Sequence, residues 1–164
     1  MVVNNHQVQA VYYKDYDFLK LRCSKSIRSH LGTLKKYNPE AIRIQFPKIR
    51  IHEIQGDVWS IDFSEKGEDF LLKLQTFNEN KRGNKDLILF NKLVEGKPKI
   101  VQMKVNDSTL YFNENNEIVD YSYIVENFKN VEARCIASTN GLWFTEISYG
   151  NTWIIDQVKI YTNP

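Results

Sequence analysis

Ala41-Ile-Arg-Ile-Gln-Phe-Pro-Lys-Ile-Arg-Ile-His52 is the stretch whose reading decides the fold class. Ile42, Ile44 and Phe46 alternate with Ala41, Arg43 and Gln45, the period of a strand with one face buried. After Pro47 the phase slips by one residue: Ile49 and Ile51 are apolar, while Lys48, Arg50 and His52 turn the other way. Proline cannot donate to a strand ladder, so a one-residue slip at Pro47 predicts a bulge or break that bends the strand.

Outward from there, period two recurs. Trp59, Ile61 and Phe63 alternate with Ser60 and Asp62, which places Trp59 in the core. Towards the C-terminus come Val131-Ala133-Cys135-Ala137, then Trp143 to Ile147, then Thr152 to Tyr161. They are separated by Thr139-Asn-Gly141 and Tyr149-Gly-Asn151, a spacing that predicts an antiparallel meander with tight turns. Trp143 and Trp153 stand beside those turns, as exposed platforms or as plugs of a barrel end. Helical spacing is clear over Glu68 to Asn80, where Phe70, Leu74 and Phe77 fall on one face. Glu68 and Asp69 suit its positive end and Gly83 its stop. Ser122 to Phe128 predicts a second short helix capped by Ser122, with Asp120 nearby. Lys25 to Lys36 carries a weak pattern for a short basic helix, and Lys85 to Glu95 is ambiguous. The pattern predicts a mainly β fold with one or two helices, a β-barrel whose leading candidate is the OB-fold-like, partly open five-stranded form. Residues 1–164 read as one such domain, with 1–40 as a basic N-terminal extension.

The 164 residues are 42% apolar and 26% charged, a globular composition and not that of a disordered chain. No apolar run approaches the ~18 residues of a spanning helix. Met1 to Ala10 lacks the layout of a signal peptide, so the reading is an intracellular protein with no membrane partner. Cys23 and Cys135 are far apart and read as thiols; with His6, His30 and His52 they share no metal-ligand spacing, and no metal or cofactor is expected.

Charge is uneven. Residues 1–52 hold ten Lys/Arg against three acids, a net +7, whereas residues 53–164 hold twelve against seventeen, a net −5. A basic third joined to an acidic remainder points to a polyanion-binding face. Arg43, Lys48 and Arg50 sit opposite the apolar residues of their strand, placed for phosphate contact. Tyr12, Tyr13, Tyr16, Phe18 and Tyr37 are interleaved with Arg28, Lys35, Lys36 and other cations. Every base has a π face, so aromatics mixed with cations suit a sequence-tolerant single-strand site. Arg43, Lys48, Arg50, Lys35, Lys36 and Arg28 are therefore the candidate phosphate contacts, and Tyr12, Tyr13, Tyr37 and Trp143 the candidate stacking platforms. No Gly-rich phosphate loop, Gly-x-Ser-x-Gly or His-Glu-x-x-His occurs. Asp86 followed by Glu95-Gly-Lys97 is a thin version of a metal-nuclease pattern and reads as a turn, so no enzymatic activity is expected.

Asn140-Gly-Leu-Trp-Phe144, Ile147-Ser-Tyr-Gly150, Trp153 and Asp156-Gln-Val-Lys-Ile-Tyr161 together resemble the closing segment of a family of OB-fold-type single-stranded-DNA-binding proteins from nucleocytoplasmic large DNA viruses. Ile44-Gln-Phe-Pro47 is similar to that family's aliphatic-Gln-Thr-Pro strand, with Phe46 in place of the threonine. The Phe70–Phe77 helix, and Tyr111-Phe112 ahead of an Asn/Glu-rich turn, match the family's order, so the resemblance covers residues 42–162. It implies sequence-tolerant single-stranded DNA binding in viral replication, recombination or repair, in host cytoplasm or nucleus. RNA, a second copy of the chain and replication proteins are the further candidate partners. The alternative is a structural β domain of a virion or replication complex that contacts protein and binds no nucleic acid.

Overall fold

The computed structural model describes residues 8–29, 32–63, 65, 67–84, 86–91, 93 and 100–162. His6, His30 and the Glu95-to-Pro98 turn, with its Glu95 and Lys97, lie outside them. The bent strand is present as β5 (Ile42–Gln45) and β6 (Arg50–Gln55). β5 pairs antiparallel with β12 (Glu132–Thr139), Ile44 opposite Ala137. At the slip the Phe46 N–H donates to the Cys135 carbonyl at 3.0 Å, and Ile49 and Ala133 then exchange two backbone hydrogen bonds of 2.8 Å each. Beyond Ile49 the chain leaves β12 and pairs as β6 with β7 (Val58–Asp62). β7 pairs antiparallel with β9 (Ile100–Lys104), β9 runs parallel to β15 (Trp153–Tyr161), and β15 returns antiparallel to β12. The circuit closes at Ile49 and Ala133. This order, with one long strand shared at the closure and one parallel pair, is that of an OB-fold barrel.

The inward residues of these strands fill the barrel. Ile44, Trp59, Ile61, Ala137, Ile155 and Ile160 are fully buried, and Phe46 meets Phe63, Phe70 and Trp153 edge-on at centroid distances of 4.9, 5.8 and 5.3 Å. Trp153 is thus a plug. Further strands extend the sheet: β1 (Val11–Tyr12) runs parallel to β5, and β10 (Leu110–Phe112), with β11 (Ile118–Val119), lies beside the C-terminal half of β15.

A second sheet stands on the barrel. It comprises β2 (Arg22–Cys23), β3 (Ile27–Ser29), β4 (Gly32–Asn38), β13 (Gly141–Phe144), β14 (Ser148–Gly150) and β8 (Ile88–Leu89). Within the segment read as a weak basic helix, Ile27–Ser29 and Gly32 to Lys36 are therefore strand: β4 has a tertiary partner in β13, and that pairing overrides local propensity. The three C-terminal runs do not form a meander. β12 and β15 pair with each other, and the chain between them leaves at Asn140 to make the β13–β14 hairpin in the other sheet. Period two marks strands but does not say which strands pair.

The helix α1 (Glu68–Asn80) has its predicted bounds and buries Phe70, Leu71 and Leu74. It also buries Asn78, whose Oδ1 accepts from the Tyr37 hydroxyl at 2.8 Å while its Nδ2 donates to Asn151 Oδ1 at 3.3 Å. Asn151 in turn donates to Thr139 Oγ1 at 3.2 Å. The second helix, α2 (Tyr121–Asn127), is capped by Asp120 rather than Ser122: the Asp120 carboxylate accepts from the Tyr123 N–H at 2.9 Å and from the Ser122 hydroxyl at 2.8 Å. That places the helix one residue earlier than its apolar pattern suggests.

Two consequences are measurable. A Cβ on Gly141 would sit 2.3 Å from the Lys35 carbonyl oxygen and 2.9 Å from Lys36 Cα, both backbone atoms that cannot step aside. Gly141→Ala should cost about 2 kcal/mol or more in urea unfolding. Cys135 lies in the barrel wall, where burial, with Asp156 adding to it, pushes its thiol from 9.0 up to about 12. Its neutral form is favoured by the folded state, so this stabilisation is complete below pH 9 and is lost as the pH rises from about 9 to about 12. Denaturation midpoints measured across that range should fall, and Cys135→Ala should make the fall shallower.

Candidate nucleic-acid interface

The outward residues of β6, β7 and β9 form three rows across the barrel wall. Their register sets Gln55 beside Val58 and Lys104, Glu53 beside Ser60 and Gln102, and Arg50 beside Asp62 and Ile100. The β13–β14 arm rises from one end of this wall. Between the wall and the arm lies a cleft of about 520 Å³, lined from the wall by Val58, Gln102 and Lys104 and from the arm by Trp143, Phe144 and Ser148. Ser29, Phe90, Thr145 and Thr152 complete it.

Trp143 is held from three sides. Its indole N–H donates to Thr152 Oγ1 at 3.0 Å, and its ring meets Phe90 at 5.6 Å between centroids. The third contact is Gly150, its ladder partner, where a Cβ would stand 2.9 Å from Phe90 Cβ and 3.3 Å from Trp143 Cζ2. Glycine there lets the two rings close over the strand. With its one polar group already satisfied, the half-buried indole offers the cleft an apolar π surface. Phe90 is itself 38% exposed. Asn91 anchors the segment behind Phe90 to β9, through hydrogen bonds of 3.2 and 3.3 Å to the Gln102 backbone. The arrangement therefore presents two aromatic rings, a side-chain amide and an ammonium in one concave surface. Among the described residues no group of three or more His, Cys, Asp or Glu could hold a metal ion, and no helix is long and apolar enough to cross a membrane.

The residues singled out from sequence are scattered. Trp143 is in the cleft. Lys36 is exposed on the Trp143 face of the second sheet by strand alternation, next to Gly141. Lys35 and Arg28 are on the opposite face: Lys35 lies over the Phe144 ring at 5.5 Å and donates to the Lys81 carbonyl at 3.3 Å, and Arg28 is exposed opposite Thr33. Arg50 is at the far end of the barrel wall that floors the cleft. Lys48 is elsewhere, paired with Glu132 at 3.1 Å, and Tyr12 lies on β1 beside Gln45, 41% exposed. Tyr13 is half-buried against Tyr12 and the core.

Two candidates are withdrawn by their surroundings. Arg43 is on the polar side of its strand as read, but its side chain is only 12% exposed, bound to Asp156 at 3.0 Å and to the Val8 carbonyl at 3.0 Å. Tyr37 is 2% exposed and spends its hydroxyl on Asn78, so its ring is core and not a platform. Period two assigns a side chain to a face; whether another strand then covers that face is a tertiary fact.

Sequence reasoning missed Phe90, Gln102, Lys104 and Thr152. Ile100-Val-Gln-Met-Lys104 alternates with Val101 and Met103 inward, a signal that was there to find. Phe90 stands in a segment without periodicity and could not be placed.

No protein-family model matches the chain, and the comparison with curated protein sequences gives no match. Among solved structures, the chain is similar to the single-stranded DNA-binding protein from bacteriophage Enc34, with a TM-score of 0.51 and 10% identity, over 87% of this chain and 90% of that one. A C-terminal truncation of the same phage protein aligns with a TM-score of 0.49 and 12% identity, over 89% and 97%. At this identity the likeness is one of fold.

The cleft predicts a specific emission signature. Trp59 and Trp153 are 0% and 3% exposed, whereas Trp143 is half-buried and borders open space. Acrylamide should quench one of the three tryptophans readily, and Trp143→Phe should remove that accessible component while leaving the rest of the emission shielded.

Proposed function

We propose that the chain binds single-stranded DNA with little regard to sequence, in the cleft between the β7–β9 wall and the β13–β14 arm. The observation that carries this reading is the position of the Trp143–Phe90 pair and Lys104. They lie on the strand 2–3 face of the barrel, flanked by the connection between its last two strands, where OB-folds take oligonucleotides. Unpaired bases can stack on the two rings, whose one polar group, the indole N–H, is already bonded to Thr152. The ammonium of Lys104 and the exposed Lys36 of the second sheet supply phosphate attraction on this side of the molecule.

The fold shared with a phage protein of that description supports the reading, as does the basic N-terminal third, whose strand β4 pairs with β13 of the arm. The finer setting is part of the proposal: a viral protein of the large-DNA-virus type, acting in replication, recombination or repair inside the host cell and without enzymatic turnover. It rests on the motifs of residues 140–161. A second reading, contact with a replication protein or another copy of the chain, is favoured by Ile88 and Ile147. They are 69% and 73% exposed, and the Ile88 N–H bonds the Ile147 carbonyl at 3.0 Å at the end of the arm.

Anisotropy of a labelled oligo-dT of about 30 nucleotides, titrated at several salt concentrations, tests the proposal, with duplex DNA and RNA as competitors. Tight, salt-dependent binding with weak competition by duplex is expected. Trp143→Ala should cost about 1–3 kcal/mol of affinity. Lys104→Gln should make the slope of log affinity against log salt shallower by about 0.7. Absence of binding at low salt would overturn the reading and leave protein contact in its place.

A further inference from the structure

On the outer face of β12 and the C-terminal half of β15, Arg134 and Lys159 are direct cross-strand partners. Like charges opposite one another in an antiparallel pair repel and cost stability. Here a third cation joins them: Lys48, Arg134 and Lys159 all lie over the Tyr161 ring, at 6.0, 5.9 and 5.0 Å from its centroid. Lys48 is paired with Glu132, and Lys159 donates to the neutral Asn116 Oδ1 at 2.7 Å. The ring holds the cations in place without neutralising them. Beside them is a groove of about 400 Å³, bounded by Phe112 of β10 and by Gln45, with the exposed Tyr12 next to Gln45 on β1. A site of concentrated positive charge, a cavity and aromatic borders is suited to a phosphodiester flanked by an unpaired base.

We infer that this groove is a second contact for single-stranded nucleic acid, separate from the cleft and occupied by the same strand after it leaves the cleft. The inference rests on the proposed cleft site and extends it. Its geometry follows from β15. Ile154 pairs beside Lys104 of the cleft, and Lys159 is five residues further along the same strand, about 17 Å away. A phosphate between Arg134 and Lys159 replaces their repulsion by two charge-assisted hydrogen bonds. A strand short enough to fill only the cleft does not reach them; a longer one does. Lys48 and Tyr12, which the cleft leaves unused, border this path.

The test compares oligo-dT of about 6 and about 30 nucleotides on the full chain, wild type against the double variant Arg134→Gln, Lys159→Gln. The short oligonucleotide should bind both proteins equally. The long one should bind the variant more weakly, with a salt slope shallower by about 1.4, the loss of two phosphate contacts. The charge-keeping pair Arg134→Lys, Lys159→Arg should retain wild-type binding. Because the glutamine variant removes a like-charge pair, its melting temperature should equal or exceed that of the wild type, which separates lost binding from lost folding. Equal binding of the long strand by wild type and variant would overturn the inference and leave the cleft reading intact. Equal weakening of both oligonucleotides would also overturn it, because the charges would then act only as a general field. Failure of the wild type to bind either strand would remove the cleft reading, and this inference with it.

Discussion

The two backbone hydrogen bonds between Ile49 and Ala133 hold the molecule in its shape. One strand must serve two neighbours, β12 as far as Ile49 and β7 from Arg50 onward, and the pair at Ile49 is its last hold on β12 before it turns away. Without that closure the inward residues of β6 and β7 would have no opposite wall, and Trp59 and Ile61 would lose their burial. Closure also decides what faces outward. Once the barrel is shut, Val58, Gln102 and Lys104 can only point to solvent, and the surface beneath the arm is fixed by the same bonds that fix the core.

Placing the arm over that surface takes a different kind of interaction. Tyr37, Asn78, Asn151 and Thr139 form a chain of side-chain hydrogen bonds through the interior, from β4 through α1 to the end of β12. Asn78 and Thr139 are buried, so each bond made there avoids the penalty of an unpaired polar group. The chain touches the arm at both of its roots: Asn151 is where it rejoins the barrel, and the Tyr37 N–H bonds the carbonyl of Asn140, where it departs. The apolar core makes the barrel, and this polar chain orients the arm.

Much of the barrel is legible in the residues themselves. The phase slip at Pro47, the alternation around Trp59 and the Phe70–Phe77 spacing each correspond to an element of the structure, because each is a local pattern that burial of one face imposes. What is not legible is partnership. β3 and β4 have no strong pattern of their own; β4 becomes a strand because β13 is there to pair with it, and β3 because β4 is. The C-terminal runs look like neighbours in a meander, yet one of them crosses to another sheet at Asn140. The candidate site follows the same division. Trp143 could be picked out as an aromatic at a strand edge, but Phe90 could not, since it becomes part of a surface only when β8 docks on β14. Arg43 and Tyr37 show the reverse: both have the right chemistry, and both are covered by elements distant in sequence.

Asn78 has a consequence for how the molecule loosens. The arm, α1 and the N-terminal strands share it as a common node, while the ring of β12, β15, β9, β7 and β6 is sealed by main-chain bonds that do not involve it. Loss of the Asn78 side-chain bonds would therefore loosen the upper sheet first, while Phe70, Leu71 and Leu74 keep α1 packed in the barrel core and the ring stays shut. In such a state the concave face of the ring would stand bare of its aromatic roof. In that state the cleft would be open along its length and not only at its ends.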